Sequence, residues 1–370
     1  MRFSFVGTIQ VNEQSAKVPG FRDINTKKAN GVSMNLVCVA AQNNRAFMEC
    51  AGFKNSSIKT MDTENNKIEV DWGDREDADI IKKVANYKKN VIVLNGERHE
   101  FIASLDFIQF IRDHIDEIKG KEFTVTGQVT KNEYNGKITD RFQIQNMFEV
   151  TEEKKHQLKV TGEFIFSADG VDTADWKSEK VINFNGYTQE WMDKDHPKAL
   201  VAKTLVFNCS KLNLDDEKHV ALLNYKLKQM GLSYEDGKIK IGLKKNTYYK
   251  QSVILSYVNG AEEVPFDEST LTENQKEAIA LGLKKLEDFR PAGAIFGNRV
   301  QIYKLTDFDM RGNYEDGAVK LDEKASEIEE MIYASADKEE TEDDFMNPPE
   351  EEKKSGKKDD DDISEDDLFD

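Results

Sequence analysis

Residues 121–131 (KEFTVTGQVTK) set Phe123, Val125 and Gly127 against Thr124, Thr126 and Gln128. A period of two puts apolar and polar residues on opposite faces in a β-strand and in no helix. Asn135-Gly136 then marks a tight turn, because both residues accept the positive φ that a two-residue hairpin demands. A returning strand is expected over 138–150. Further strands are expected around Val6-Gly7-Thr8-Ile9, over 34–41 and 45–53 with Gln42-Asn43-Asn44 as the turn between them, and over 67–72 and 90–94. Helices are few. Residues 105–118 carry Ile108, Ile111, Ile115 and Ile118 at helical spacing, with Ser104 as N-cap. Residues 215–230 carry Val220, Leu223, Leu227 and Met230 before Gly231, and 273–286 carry Ile279, Leu283 and Leu286 after Thr272. The pattern is mainly β with a few helices.

The chain of 370 residues is long enough for about two domains, and its halves repeat weakly. Phe3-Ser4-Phe5-Val6-Gly7 resembles Leu158-Lys159-Val160-Thr161-Gly162, and Arg141-Phe142-Gln143-Ile144 resembles Arg299-Val300-Gln301-Ile302. In each half a helix (105–118 and 273–286) precedes the final strands. Two β-rich units are expected, 1–156 and 157–335, joined at residues 151–157 (TEEKKHQ).

Charge sets the last stretch apart. Residues 337–370 hold 17 acidic and 5 basic side chains, a net of −12, so the rest carries only −6 of the total −18. A block that repels itself and holds so little apolar surface stays disordered, and 336–370 is expected to be a disordered acidic tail. Within it, Ile363, Leu368 and Phe369 stand among carboxylates near the terminus. An apolar plug beside carboxylates suits a basic-rimmed pocket on a partner protein, and Asp366, Asp367, Leu368 and Phe369 are its candidate contacts. The bland alternative is a tail that merely solvates.

Catalytic signatures are absent. The five histidines are scattered, and no HExxH, GxxxxGK[ST] or GxSxG occurs. Paired acids are expected from composition among 70 acidic side chains, and these runs look solvated rather than tuned. Asp307-Phe308-Asp309-Met310-Arg311-Gly312 begins like a calcium loop, but Arg311 replaces an oxygen ligand and Ala318 stands where a bidentate Glu belongs. No enzyme, cofactor or metal is expected. Three cysteines without a CxxC pair point to a reducing compartment. The longest apolar runs are far shorter than the ~20 residues of a membrane helix, and residues 1–10 lack a secretory h-region. A cytoplasmic protein with no membrane contact is expected.

Positive charge and aromatic rings occur together in the body. Residues 1–60 hold eight Lys or Arg against three acids. Lys27, Lys28, Arg45 and Lys54 lie there, with Phe47 and Phe53 among them; Arg45 and Phe47 alternate on one strand and so share a face. Tyr134 lies at the hairpin tip between Lys131 and Lys137. Lys244, Lys245, Tyr248 and Tyr249 form a second cluster in 238–250, and residues 82–89 (KKVANYKK) a third basic run. Cations for phosphates and rings for base faces are what a single-strand binder needs. Each feature has a plainer reading: Phe47 and Phe53 as core, 82–89 as a solvated helix face, and only one of the two adjacent tyrosines as a platform.

With Asp359-Asp360-Asp361-Asp362-Ile363 and Asp366-Asp367-Leu368-Phe369-Asp370 after a β-rich body, the chain resembles the replicative single-stranded DNA-binding proteins of bacteria and bacteriophages. Asp370 follows Phe369 and no Pro precedes it, an ending closer to the phage type. The resemblance implies one or two OB-like Greek-key barrels, as a strand-rich unit with a helix before its last strands also suits. It implies sequence-nonspecific coating of single-stranded DNA in replication, recombination or repair. Polymerase, primase or helicase would be recruited through the tail, in a bacterial or phage-infected cell, by a monomer or dimer. Two rival readings are an acidic DNA mimic that inhibits a nuclease and a β-rich virion protein; segregation of the acids into the tail argues against the first.

Overall fold

The computed structural model describes every residue except 12–19, 27–29, 42–43, 264–270, 282, 285–288, 290–295, 312–313 and 335–370. Met1–Ser335 gathers into one compact unit. The expected tail lies outside the described residues.

Ten strands carry the architecture. In the first half they are β1 (Arg2–Val11), β2 (Asn30–Ala41), β3 (Asn44–Phe53), β4 (Glu122–Tyr134) and β5 (Lys137–Glu149). In the second they are β6 (Gln157–Asp172), β7 (Val181–Glu190), β8 (Ala199–Asn208), β9 (Tyr248–Glu263) and β10 (Phe296–Phe308). The first five close on themselves: β1 pairs β2, β2 pairs β3, β3 runs parallel to β5, β5 pairs β4, and β4 returns to β1. The second five repeat that circuit strand for strand, with β8 parallel to β10. Both pieces matched in sequence fall on equivalent strands, β1 with β6 and β5 with β10.

Between third and fourth strands each half inserts a helix, α1 (Ser104–Asp113) and α2 (Glu217–Lys228). α1 buries Phe107, Ile108 and Ile111. It lies so close to β3 that a Cβ on Gly52 would stand 2.2 Å from the Leu105 nitrogen. Ser104 is not its cap; Ala103 holds that position with no side-chain bond. Asp216 caps α2 by accepting from the Lys218 N–H. The helix expected over 273–286 is seen over Glu273–Ala280 with a Thr272/Gln275 capping box. It sits between β9 and β10, so the counterpart of α1 is α2 instead. The expected strands 67–72 and 90–94 exist as Lys67–Asp71 and Asn90–Leu94, both outside the first circuit, each in a hairpin with a neighbour.

The circuits are continuous with each other. β1 pairs β6 antiparallel from Arg2–Thr161 to Val6–Gln157, and Asn44 at the start of β3 pairs Gly260 of β9. One apolar core runs through both, from Phe5 and Phe123 to Phe164, Phe166 and Phe184. The rings of Phe142, Tyr257 and Tyr303 bridge the halves at centroid distances of 5.0 and 4.7 Å.

Candidate nucleic-acid interface

Strand alternation builds the most open face. On β3 it turns Ala46, Met48 and Cys50 inward and Arg45, Phe47, Glu49 and Phe53 outward. Phe47 is 53% exposed, and among the described residues no other phenylalanine is exposed. β5 lies parallel at this point, with Phe142 against Met48 and Gln143 against Glu49. That register stands Arg141 beside Phe47. Arg141 holds Glu49 at 3.4 Å while nearly half exposed. Among the described residues no acid pairs with Arg45. Phe53 is half-buried at the end of β3, and Lys54 follows it, exposed. Arg45 and Phe47 therefore share one face, and Phe53 has the same parity six residues further along; Lys27 and Lys28 lie outside the described residues.

The β4–β5 hairpin turns at Asn135 and Gly136, with φ of 50° and 72°. Tyr134 at its tip is 73% exposed and Lys137 is exposed. Lys131 departs from the expectation. It has the parity of Val125 and Val129, so it points inward, and its side chain is only 3% exposed. There it meets its cross-strand partner Asp140 at 2.6 Å, and Asp140 also takes Lys203 at 2.6 Å and the Tyr303 hydroxyl. Burial alone would raise the Asp140 carboxyl; Lys203 and Lys131 outweigh it and hold its pKa down at about 2. Burial also pushes Lys203 below the usual lysine range, and its ammonium stands 3.6 Å over the Tyr303 ring. The network closes the junction between the halves. Above it a groove of about 460 Å³ is lined by Lys137, Thr139, Thr204, Gln301 and Tyr333 among others.

The second cluster does not join the first. Lys244 and Lys245 are exposed, but they precede β9 at the end far from Asn44, about 40 Å of strand contour away at ~3.3 Å per residue. Tyr249 faces the core: its hydroxyl accepts from the Lys244 N–H, and its ring lies 6.3 Å from that of Phe166. Tyr248 packs in a satellite cluster with Ile165, Leu200 and Ile328. Both are half-buried, because they are adjacent on a strand with apolar layers on each side. Asp366, Asp367, Leu368 and Phe369 lie outside the described residues.

Arg141 was missed, although its alternation with Phe142 and Ile144 marks it as outward. Among the described residues no group of three or more His, Cys, Asp or Glu is placed to hold a metal, and no helix is long and apolar enough to cross a membrane. Buried Cys38, Cys50 and Cys209 are free thiols whose pKa values burial raises. No family model, curated protein or solved structure matches the chain.

Proposed function

We propose that the chain is a sequence-nonspecific single-stranded DNA-binding protein with two OB-type barrels, acting in replication, recombination or repair. The circuit first–second–third–fifth–fourth, with third and fifth strands parallel and a helix before the fourth, supports the barrel type in both halves. The observation that carries the function is Phe47. A phenylalanine about half exposed beside two arginines leaves ring surface on which a base can stack, while Arg45 and Arg141 meet the flanking phosphates. The acidic tail would recruit partners such as polymerase, primase or helicase through Leu368 and Phe369, and would compete weakly with DNA for the cationic surface.

A mobility shift with oligo-dT and with duplex, at low and high salt, tests this. Strong, salt-sensitive binding to oligo-dT and much weaker duplex binding are expected. Removing 336–370 should strengthen strand binding or leave it unchanged. A body that ignores oligo-dT at low salt overturns the reading.

A further inference from the structure

A second groove, of about 420 Å³, lies on the first barrel away from Phe47. Arg2, Tyr87, Lys88, Gln128, Gln145 and Asn146 line it, together with Phe3, Thr126 and Gly127. No acidic residue lines it, in a chain with 70 acids and 52 bases. Tyr87 is 53% exposed, yet its ring is held in place: the hydroxyl donates to Asn65 at 2.7 Å, and Gln145 donates to the Tyr87 carbonyl at 2.6 Å. The Lys88 ammonium is 6.0 Å from the ring centroid. Neither Arg2 nor Lys88 has an acidic partner among the described residues. A fixed exposed ring, two cations without acidic partners, the Gln128 amide and the amide oxygens of Gln145 and Asn146, whose nitrogens already donate to Tyr87 and Thr126, match a base face, its phosphates and its edges.

The strand register links this groove to Phe47. Glu49 of β3 pairs Gln143 of β5, Gln143 pairs Gln128 of β4, and Gln128 pairs Arg2 of β1. This polar row crosses three interstrand gaps, about 14 Å at ~4.8 Å each, a span that a few extended nucleotides cover. We infer that Tyr87, Arg2 and Lys88 form a second stacking subsite, and that a DNA strand stacked on Phe47 crosses β5 and β4 over Gln143 and Gln128 to reach it. The inference rests on the single-strand reading above. It assigns a role to the 82–89 basic run, of which only Tyr87 and Lys88 line the groove; Lys89 is buried against Glu100.

The test uses the full chain, a long oligo-dT carrying 5-iododeoxyuridine, and fluorescence anisotropy. Ultraviolet cross-linking is expected at both Phe47 and Tyr87. Tyr87→Ala should weaken binding about tenfold. Tyr87→Phe, which keeps the ring and loses only the Asn65 bond, should retain most affinity and controls for misfolding. Arg2→Ala with Lys88→Ala should lower the salt slope by about two phosphates. Unchanged affinity of Tyr87→Ala with cross-links at Phe47 alone overturns the second subsite and leaves the first reading standing. Displacement of oligo-dT from Phe47→Ala protein by polyglutamate as readily as by unlabelled oligo-dT overturns it in favour of an acidic polypeptide ligand. No oligo-dT binding by the native chain overturns both.

Discussion

The two halves share a strand circuit and differ in what they turn outward. On the first, the third strand presents Arg45 and Phe47 to solvent beside the second, with Arg141 of the fifth alongside. On the second, the equivalent strands present Asn183, Asn185 and Tyr187 on β7 and Ala202, Thr204 and Val206 on β8. Lys304 of β10 pairs Val206 at one end of that row, but no exposed aromatic ring stands in it. Its edge is also occupied by the chain's own return. The Leu200 N–H donates to the Met331 carbonyl at 2.8 Å, and Leu321, Ile328, Met331 and Ile332 pack on Ile165, Leu200, Tyr187 and Tyr248. Closing a barrel constrains the inward parity of each strand and leaves the outward parity open. One half can then carry a ligand face while its twin carries a structural one.

The largest expected effect comes from the junction. Asp140→Asn leaves Lys131 and Lys203 buried without their carboxylate, and should cost about 3–5 kcal/mol in urea unfolding; a loss below ~1 kcal/mol would mean that the halves do not depend on it. Next, Ile328→Ala should cost about 2–4 kcal/mol by opening the satellite cluster. Oligo-dT affinity should not rise, because the residues that Ile328 covers, Ile165, Leu200, Tyr187 and Tyr248, include no cation; a clear rise would break the contrast between the halves. Phe47→Ala should weaken oligo-dT binding by about 1–3 kcal/mol with little change in melting temperature, whereas Tyr187→Ala should leave binding unchanged. Arg45→Ala and Arg141→Ala should each lower the salt slope by about one phosphate.

The smallest effect is in acid. The Asp140 pKa is lower folded, at about 2, than the ordinary ~3.9. Its contribution is therefore complete above about pH 4 and is lost as pH falls toward 2. The stability gap between native protein and Asp140→Asn should narrow across that window; a constant gap contradicts the assignment.

Much of this was legible as parity. Alternation placed Arg45 and Phe47 on one face, and Asn135-Gly136 located the hairpin that leaves Tyr134 exposed. The same parity, carried on from Phe123, Val125 and Gly127, puts Lys131 inward opposite Asp140, although its charge alone suggested the surface. What could not be read was long-range. Nothing local shows that Tyr248 will be covered by residues 321–332, that α2 rather than the 273–280 helix matches α1, or that Tyr87 will stand near Arg2. Those outcomes depend on pairings between residues far apart in the chain.

The most direct test is oligo-dT affinity at low salt, by anisotropy, for the native chain and Phe47→Ala with matched melting curves. The account predicts a loss of about tenfold with stability intact. Equal affinities for the two proteins would contradict it.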